Sequence, residues 1–148
     1  MPFTIRLTSD IAAPAATVWD VIADLPAYAE WNPFVVGCRS TLAVGSPIAM
    51  RVRLFPSITQ SQRETIFEHV PFERLCYGID GGRLQAVASR RCHELHPVDP
   101  GTTRYVSSFE MSGWMSGVVA ALLRTRLEHG FRSMTDAIRT RAEALAAR

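Results

Sequence analysis

The feature that most constrains this chain is a long apolar stripe at its C-terminal end. From about Val118 to Ala146, Val119, Leu122, Leu123, Leu127, Phe131, Met134, Ile138, Ala142 and Leu145 recur three or four apart. Arg124, Arg126, Glu128, Arg132, Arg139, Arg141 and Glu143 fall mostly elsewhere. That period predicts one amphipathic helix, roughly 40 Å long at about 1.5 Å per residue. Such a stripe must be buried, and a sheet face is the surface that suits it. Gly130 inside the helix costs up to about 1 kcal/mol relative to Ala, which a close approach to the sheet or a slight bend would explain.

The preceding chain has the pattern of that sheet. Phe3, Ile5 and Leu7 alternate with Thr4, Arg6 and Thr8, giving a strand with one buried face. Pro14 suits a helix start; Val18, Val21, Ile22 and Leu25 follow at helical spacing, and Pro26 ends the run. A second short turn leads to the cluster Trp31-Asn32-Pro33-Phe34. From about residue 35 to 112 the pattern is extended. Strands are expected around Ile48–Phe55, Ile58–Val70, Leu75–Ile79, Leu84–Leu95 and Thr103–Met111, punctuated by Gly45-Ser46-Pro47, Pro71-Phe72-Glu73 and Asp99-Pro100-Gly101-Thr102. At 148 residues this is a single domain spanning 1–148. Its class is α+β, with one strand, two short helices, about six more antiparallel strands and the long helix.

Composition excludes several chemistries. All 16 basic residues are Arg, so neither a Schiff-base lysine nor a P-loop is available. A net charge of +2, with mixed signs on the helix, does not suggest nucleic acid. No apolar run is long enough to span a bilayer and no signal peptide is recognisable, so a cytoplasmic location is expected. The odd set Cys38, Cys76 and Cys92 fits neither a disulfide framework nor a zinc knuckle, and each reads as a small apolar filler. His93 and His96 lie on opposite strand faces, so no metal and no cofactor are expected.

The strand Phe3–Leu7, the run Ala13-Pro14…Val18-Trp19…Ile22-Ala23-Asp24…Tyr28…Trp31-Asn32-Pro33-Phe34, and the later Glu73-Arg74-Leu75-x-Tyr77, Glu94-Leu95-x-Pro97 and Gly130-Phe131-x-x-Met134 segments carry a resemblance. The chain resembles the START/polyketide-cyclase (SRPBCC) superfamily, in its small bacterial cyclase/dehydrase-like branch. The resemblance implies a helix-grip fold, with a curved sheet of about seven strands around the C-terminal helix and a cavity between them. It says little about substrate, since members include lipid carriers, hormone receptors and polyketide cyclases.

On that frame, alternation assigns Met50, Val52, Leu75, Tyr77, Arg91, His93, Leu95, Tyr105, Ser107, Phe109 and Met111 to the inner face. Leu123, Leu127 and Phe131 supply the helix side, while Trp31, Pro33 and Phe34 flank the entrance. Arg91 and His93 are the polar candidates. They either face a ligand carboxylate, phenol or carbonyl, or they are structural, with Arg91 reaching the rim or an internal acid and His93 a satisfied core residue. Tyr28, Tyr77, Tyr105 and Ser107 add hydroxyls. The expected function is binding of a hydrophobic or aromatic small molecule (lipid-, polyketide- or quinone-like) by a monomer or homodimer. The alternatives are a cyclase/dehydratase using Arg91, His93 or a Tyr, and a protein- or ribosome-associated interaction module. A pocket near the roughly 300 Å³ lower end of ligand sites is expected.

Overall fold

Strand β1 (Phe3–Ile11) opens the chain and lies at one edge of a seven-stranded antiparallel sheet. The computed structural model describes residues 2–148. Helix α1 (Ala15–Ala23) starts after Pro14, and a 3-10 turn (Leu25–Ala27) and the single-turn helix α2 (Tyr28–Trp31) follow. Strands β2 (Val35–Ser40), β3 (Pro47–Phe55), β4 (Ile58–Val70), β5 (Arg74–Ile79), β6 (Ala88–Asp99) and β7 (Thr102–Ser112) then form a meander, and α3 (Ser116–Ala146) closes the chain. The spatial order is β1-β7-β6-β5-β4-β3-β2, so the only non-consecutive pair is the return of β1 to β7. β6 begins at Ala88, four residues later than its pattern suggested, because Gly81 and Gly82 take positive φ and hold residues 80–87 in a turn.

The pairings set the inner face. Leu75 stands opposite His93 and Tyr77 opposite Arg91; Arg91 stands opposite Phe109, His93 opposite Ser107 and Leu95 opposite Tyr105. The second half of α3 packs on this face through Leu127, Phe131, Met134, Ile138 and Ala142, all buried. The first half does not: between Gly117 and Arg126 every residue is exposed or half-buried. Helix α3 therefore grips the sheet at one end and overhangs it at the other.

The cysteine reading needs correction. Cys76 and Cys92 face each other across β5 and β6, with Cα atoms 4.2 Å apart, and form a disulfide. Sixteen residues separate them in sequence, and only the strand register brings them together. Cys38 is the free thiol, and burial pushes its pKa up to about 12.

Candidate functional site

A cavity of about 190 Å³ lies between the sheet and α3. Gln60, Leu54, Val87, Val119 and Leu123 line its outer part and are exposed or half-buried, whereas Phe34, Tyr77, Arg91, Phe109 and Phe131 line its inner part and are buried. The cavity is thus a blind tunnel entered under the overhanging half of α3. It is smaller than expected because four large rings and a guanidinium fill its closed end. Arg91 lies over the Phe131 ring at 4.7 Å, and Phe131 in turn meets Phe34 at 5.1 Å and Phe109 at 5.0 Å.

Local sequence explains how Phe34 reaches this position. Asn32, held extended before Pro33, accepts hydrogen bonds at Oδ1 from the backbone N–H groups of Phe34 (3.0 Å) and Val35 (2.9 Å). That turn ends the short helices and aims the Phe34 ring at α3. There it occupies the space a side chain at Gly130 would need, since a Cβ would sit 2.2 Å from the ring.

Of the residues expected to hold a ligand, Phe34, Met50, Val52, Tyr77, Arg91, Phe109, Leu123, Leu127 and Phe131 line the cavity. The other four do not. Trp31 packs edge-on to Tyr28 at 5.0 Å and borders a separate surface groove with Asp136, Thr140 and Ala144 of α3. The single turn of α2 carries its indole away from the entrance. His93, Tyr105 and Ser107 are on the inner face but buried behind the polar ends of Arg91 and Tyr77, to which they bond. Tyr28 is also spent in the core, donating from its hydroxyl to the Ile22 carbonyl at 2.5 Å.

Alternation did not reveal Gln60, Gln62 and Glu64, which form one polar wall on β4. Ser61, Arg63 and Thr65, which alternate with them, are polar too, so the strand shows no contrast from which to read a face. Extending the alternation back from buried Ile66 was the one available signal.

Arg91 is 3% exposed and neither reaches the rim nor pairs with an acid through a hydrogen bond. Its Nη1 donates to Ser107 Oγ (2.6 Å) and to the Cys92 carbonyl (3.1 Å), and its Nη2 donates to Tyr105 Oη (3.5 Å). Every one of these acceptors is neutral, and Nε takes no part in the set. A buried cation held by neutral acceptors and the face of Phe131 favours an anion in the adjacent space.

The network also orders its protons. Tyr105 Oη, already accepting from Arg91, lies 2.6 Å from His93 Nδ1 and can give its proton there. Nε2 of the neutral imidazole then carries the hydrogen and donates to Tyr77 Oη at 3.3 Å. Tyr77 lines the cavity, so its own O–H is left to point into it. Burial, reinforced by the Arg91 charge, holds the His93 pKa well below its ordinary value and keeps the ring neutral. Burial raises the Tyr77 pKa, so Tyr77 is a hydrogen-bond donor and not an anion. Glu64 is shifted upward by burial, opposed by the hydrogen bond from Gln62 Nε2 (2.8 Å) and by the Arg91 charge.

The closed end thus offers the charge of Arg91 and the donor of Tyr77, with one carboxyl on the β4 wall. Among the described residues no three His, Cys, Asp or Glu side chains are grouped to hold a metal ion. No helix among them is long and apolar enough to cross a membrane.

The family model described as "Polyketide cyclase / dehydrase and lipid transport" matches residues 2–143. The chain belongs to that family. Solved structures show the same helix-grip fold. A START superfamily protein from Mycobacterium smegmatis is 18% identical, with a TM-score of 0.75, over 96% of this chain and 98% of that one. A Streptomyces aromatase/cyclase is 18% identical, with a TM-score of 0.72, over 100% and 95%. Norcoclaurine synthase from Thalictrum flavum, in complex with dopamine and hydroxybenzaldehyde, is 17% identical, with a TM-score of 0.69, over 95% and 86%. At these identities the likeness is one of fold. The sequence matches no curated protein. Membership in the polyketide cyclase / dehydrase family supports hydrophobic ligand binding or cyclase-type function.

Proposed function

We propose that this protein binds a small aromatic molecule with one anionic or phenolic oxygen end, seated with that oxygen end toward Arg91 and Tyr77 in the closed end of the cavity. The observation that carries this reading is Arg91, a buried cation whose acceptors are all neutral, on a wall otherwise built of Phe34, Phe109 and Phe131. A ligand carboxylate or phenolate would supply a counter-charge to Arg91, and the Tyr77 O–H would give it a hydrogen bond. Size supports one ring. An apolar cavity of about 150 Å³ accepts benzene, and this one has about 190 Å³. A longer tail would run out through the mouth.

Titration with 4-butylbenzoate, 4-butylphenol and butylbenzene tests the proposal. The benzoate should bind about 10- to 100-fold more tightly than the hydrocarbon, the range expected for hydrogen bonds to a charged group. Arg91→Met should remove that preference while keeping hydrocarbon binding. Equal affinity for all three, or binding by none, would overturn the reading.

Glu64 favours a second reading, in which the family's cyclase/dehydratase chemistry operates here. A carboxyl that burial makes a weaker acid than usual, and that faces the cavity, is placed to exchange a proton with a bound ligand. His93 is not the candidate base, because it does not line the cavity. Loss of water from a cavity-sized β-hydroxy ketone, abolished in Glu64→Gln with binding retained, would establish this role. Absence of turnover would leave the protein a carrier.

A further inference from the structure

We propose that the mouth of the cavity docks on an anionic lipid bilayer, from which an apolar ligand enters without crossing water. The inference rests on reading the cavity as a site for an aromatic molecule that is apolar except at its oxygen end, and its own evidence lies outside the cavity. Six large apolar side chains are exposed around the mouth: Leu84 (80%), Leu122 (74%), Trp114 (72%), Ile58 (61%), Val118 (53%) and Phe55 (39%).

These residues come from three segments that meet. Trp114 donates from Nε1 to the Leu84 carbonyl at 3.0 Å, joining the 80–87 turn to the start of α3. Across the opening, Arg126 of α3 lies over the Phe55 ring at 5.0 Å, joining the same helix to the β3–β4 hairpin tip. Val118 and Leu122 directly precede Val119 and Leu123, which line the cavity, so the helix presents one apolar edge inward and another to solvent. A helix apolar on both edges, unpartnered on the outer one, has the character of an interfacial element.

Charge identifies the occupant. Residues 53–58, 80–87 and 114–126 carry Arg53, Arg83 and Arg126 against the single acid Asp80, with Arg124 taken up by its ion pair to Glu128 at 3.1 Å. The whole chain is only +2, so positive charge is concentrated at the rim. An indole and aliphatic side chains backed by arginines match the apolar boundary and anionic headgroups of a bilayer. An acidic protein would complement the arginines but leave the six apolar side chains unexplained.

Co-sedimentation with phosphatidylcholine vesicles, with and without about a third phosphatidylglycerol, tests this. Binding to the anionic vesicles is expected, weakening as salt rises and surface charge is screened. Leu122→Asp and Trp114→Ser should each lose about tenfold or more. Arg83→Gln should lose roughly fivefold on anionic vesicles, the share expected of one arginine near such a surface. Val98→Asp, at an exposed apolar position on another edge, should change nothing. Trp114 precedes α3, so its variant keeps the test valid if a charge within the helix disturbs folding.

No sedimentation with either vesicle would overturn the proposal. So would an equal loss in Val98→Asp, or a dimer in solution that Leu122→Asp converts to monomer, because a second copy would then cover this face. Benzoate binding measured without vesicles reports the cavity separately, so failure of one reading is distinguishable from failure of the other.

Discussion

Gly130 and the ring of Phe34 share one space: a Cβ at position 130 would lie 2.2 Å from the ring. The helix tolerates a poor helix former there because the aromatic end wall of the cavity needs room. Gly130→Ala should therefore destabilise the protein, although Ala gains about 1 kcal/mol in helix propensity. Overpacking at such a contact costs about 1–3 kcal/mol. The expected outcome is a Tm lowered by a few degrees and weakened benzoate binding, read by thermal melt and titration. A raised Tm with binding unchanged would show that the contact does not matter.

His93 makes stability depend on pH. Its folded pKa is depressed, by burial first and the Arg91 charge second, below the ordinary value near 6.5. The unfolded chain therefore binds a proton that the folded one refuses. This contribution is complete above about pH 6.5 and is lost progressively as pH falls below it, at up to about 1.4 kcal/mol per pH unit. Melts between pH 7.5 and 5 should fall more steeply for the wild type than for His93→Gln. Parallel curves would contradict this account.

Glu64 works in the opposite direction. Its folded pKa lies above the ordinary value near 4.5, chiefly through burial. The contribution is present below that value and is lost as pH rises through the folded pKa, because the carboxylate must then ionise away from water. Glu64→Gln keeps an acceptor for Gln62 and removes this cost. Its Tm should exceed the wild type's at pH 7.5, with the difference disappearing below about pH 4.5. A lower Tm at pH 7.5 would mean that Glu64 is stabilised by ion pairing with Arg91.

The three cysteines should separate by chemistry. In the oxidised, folded protein, iodoacetamide at pH 8 should label almost nothing, because Cys76 and Cys92 are bonded and the Cys38 thiol is shifted up to about 12. Denaturation without reductant should expose one reactive thiol, and reduction should expose three. Intact mass gives the counts. Two or three labels under the first condition would contradict this assignment.

The α3 stripe, the alternation along the strands and the Pro14, Pro26 and Asn32-Pro33 signals were enough to define the order of elements and the inner face. Those features are periodic or local, and burial of one face preserves the period in the sequence. Arg91 on the inner wall followed from the same alternation. What it bonds to did not, since Ser107 and Tyr105 reach it only through the β6–β7 register. The Cys76–Cys92 bond and the Tyr105–His93–Tyr77 chain likewise depend on which strands are neighbours. Glu64 was hidden because β4 is polar on both faces, and the Trp31 placement failed because one helical turn decides where an indole points. Sequence by itself determined the fold and the apolar wall, whose residue types repeat with the backbone. Only the tertiary structure decided which polar groups converge on the cavity, because hydrogen bonds between distant strands leave no period in the chain.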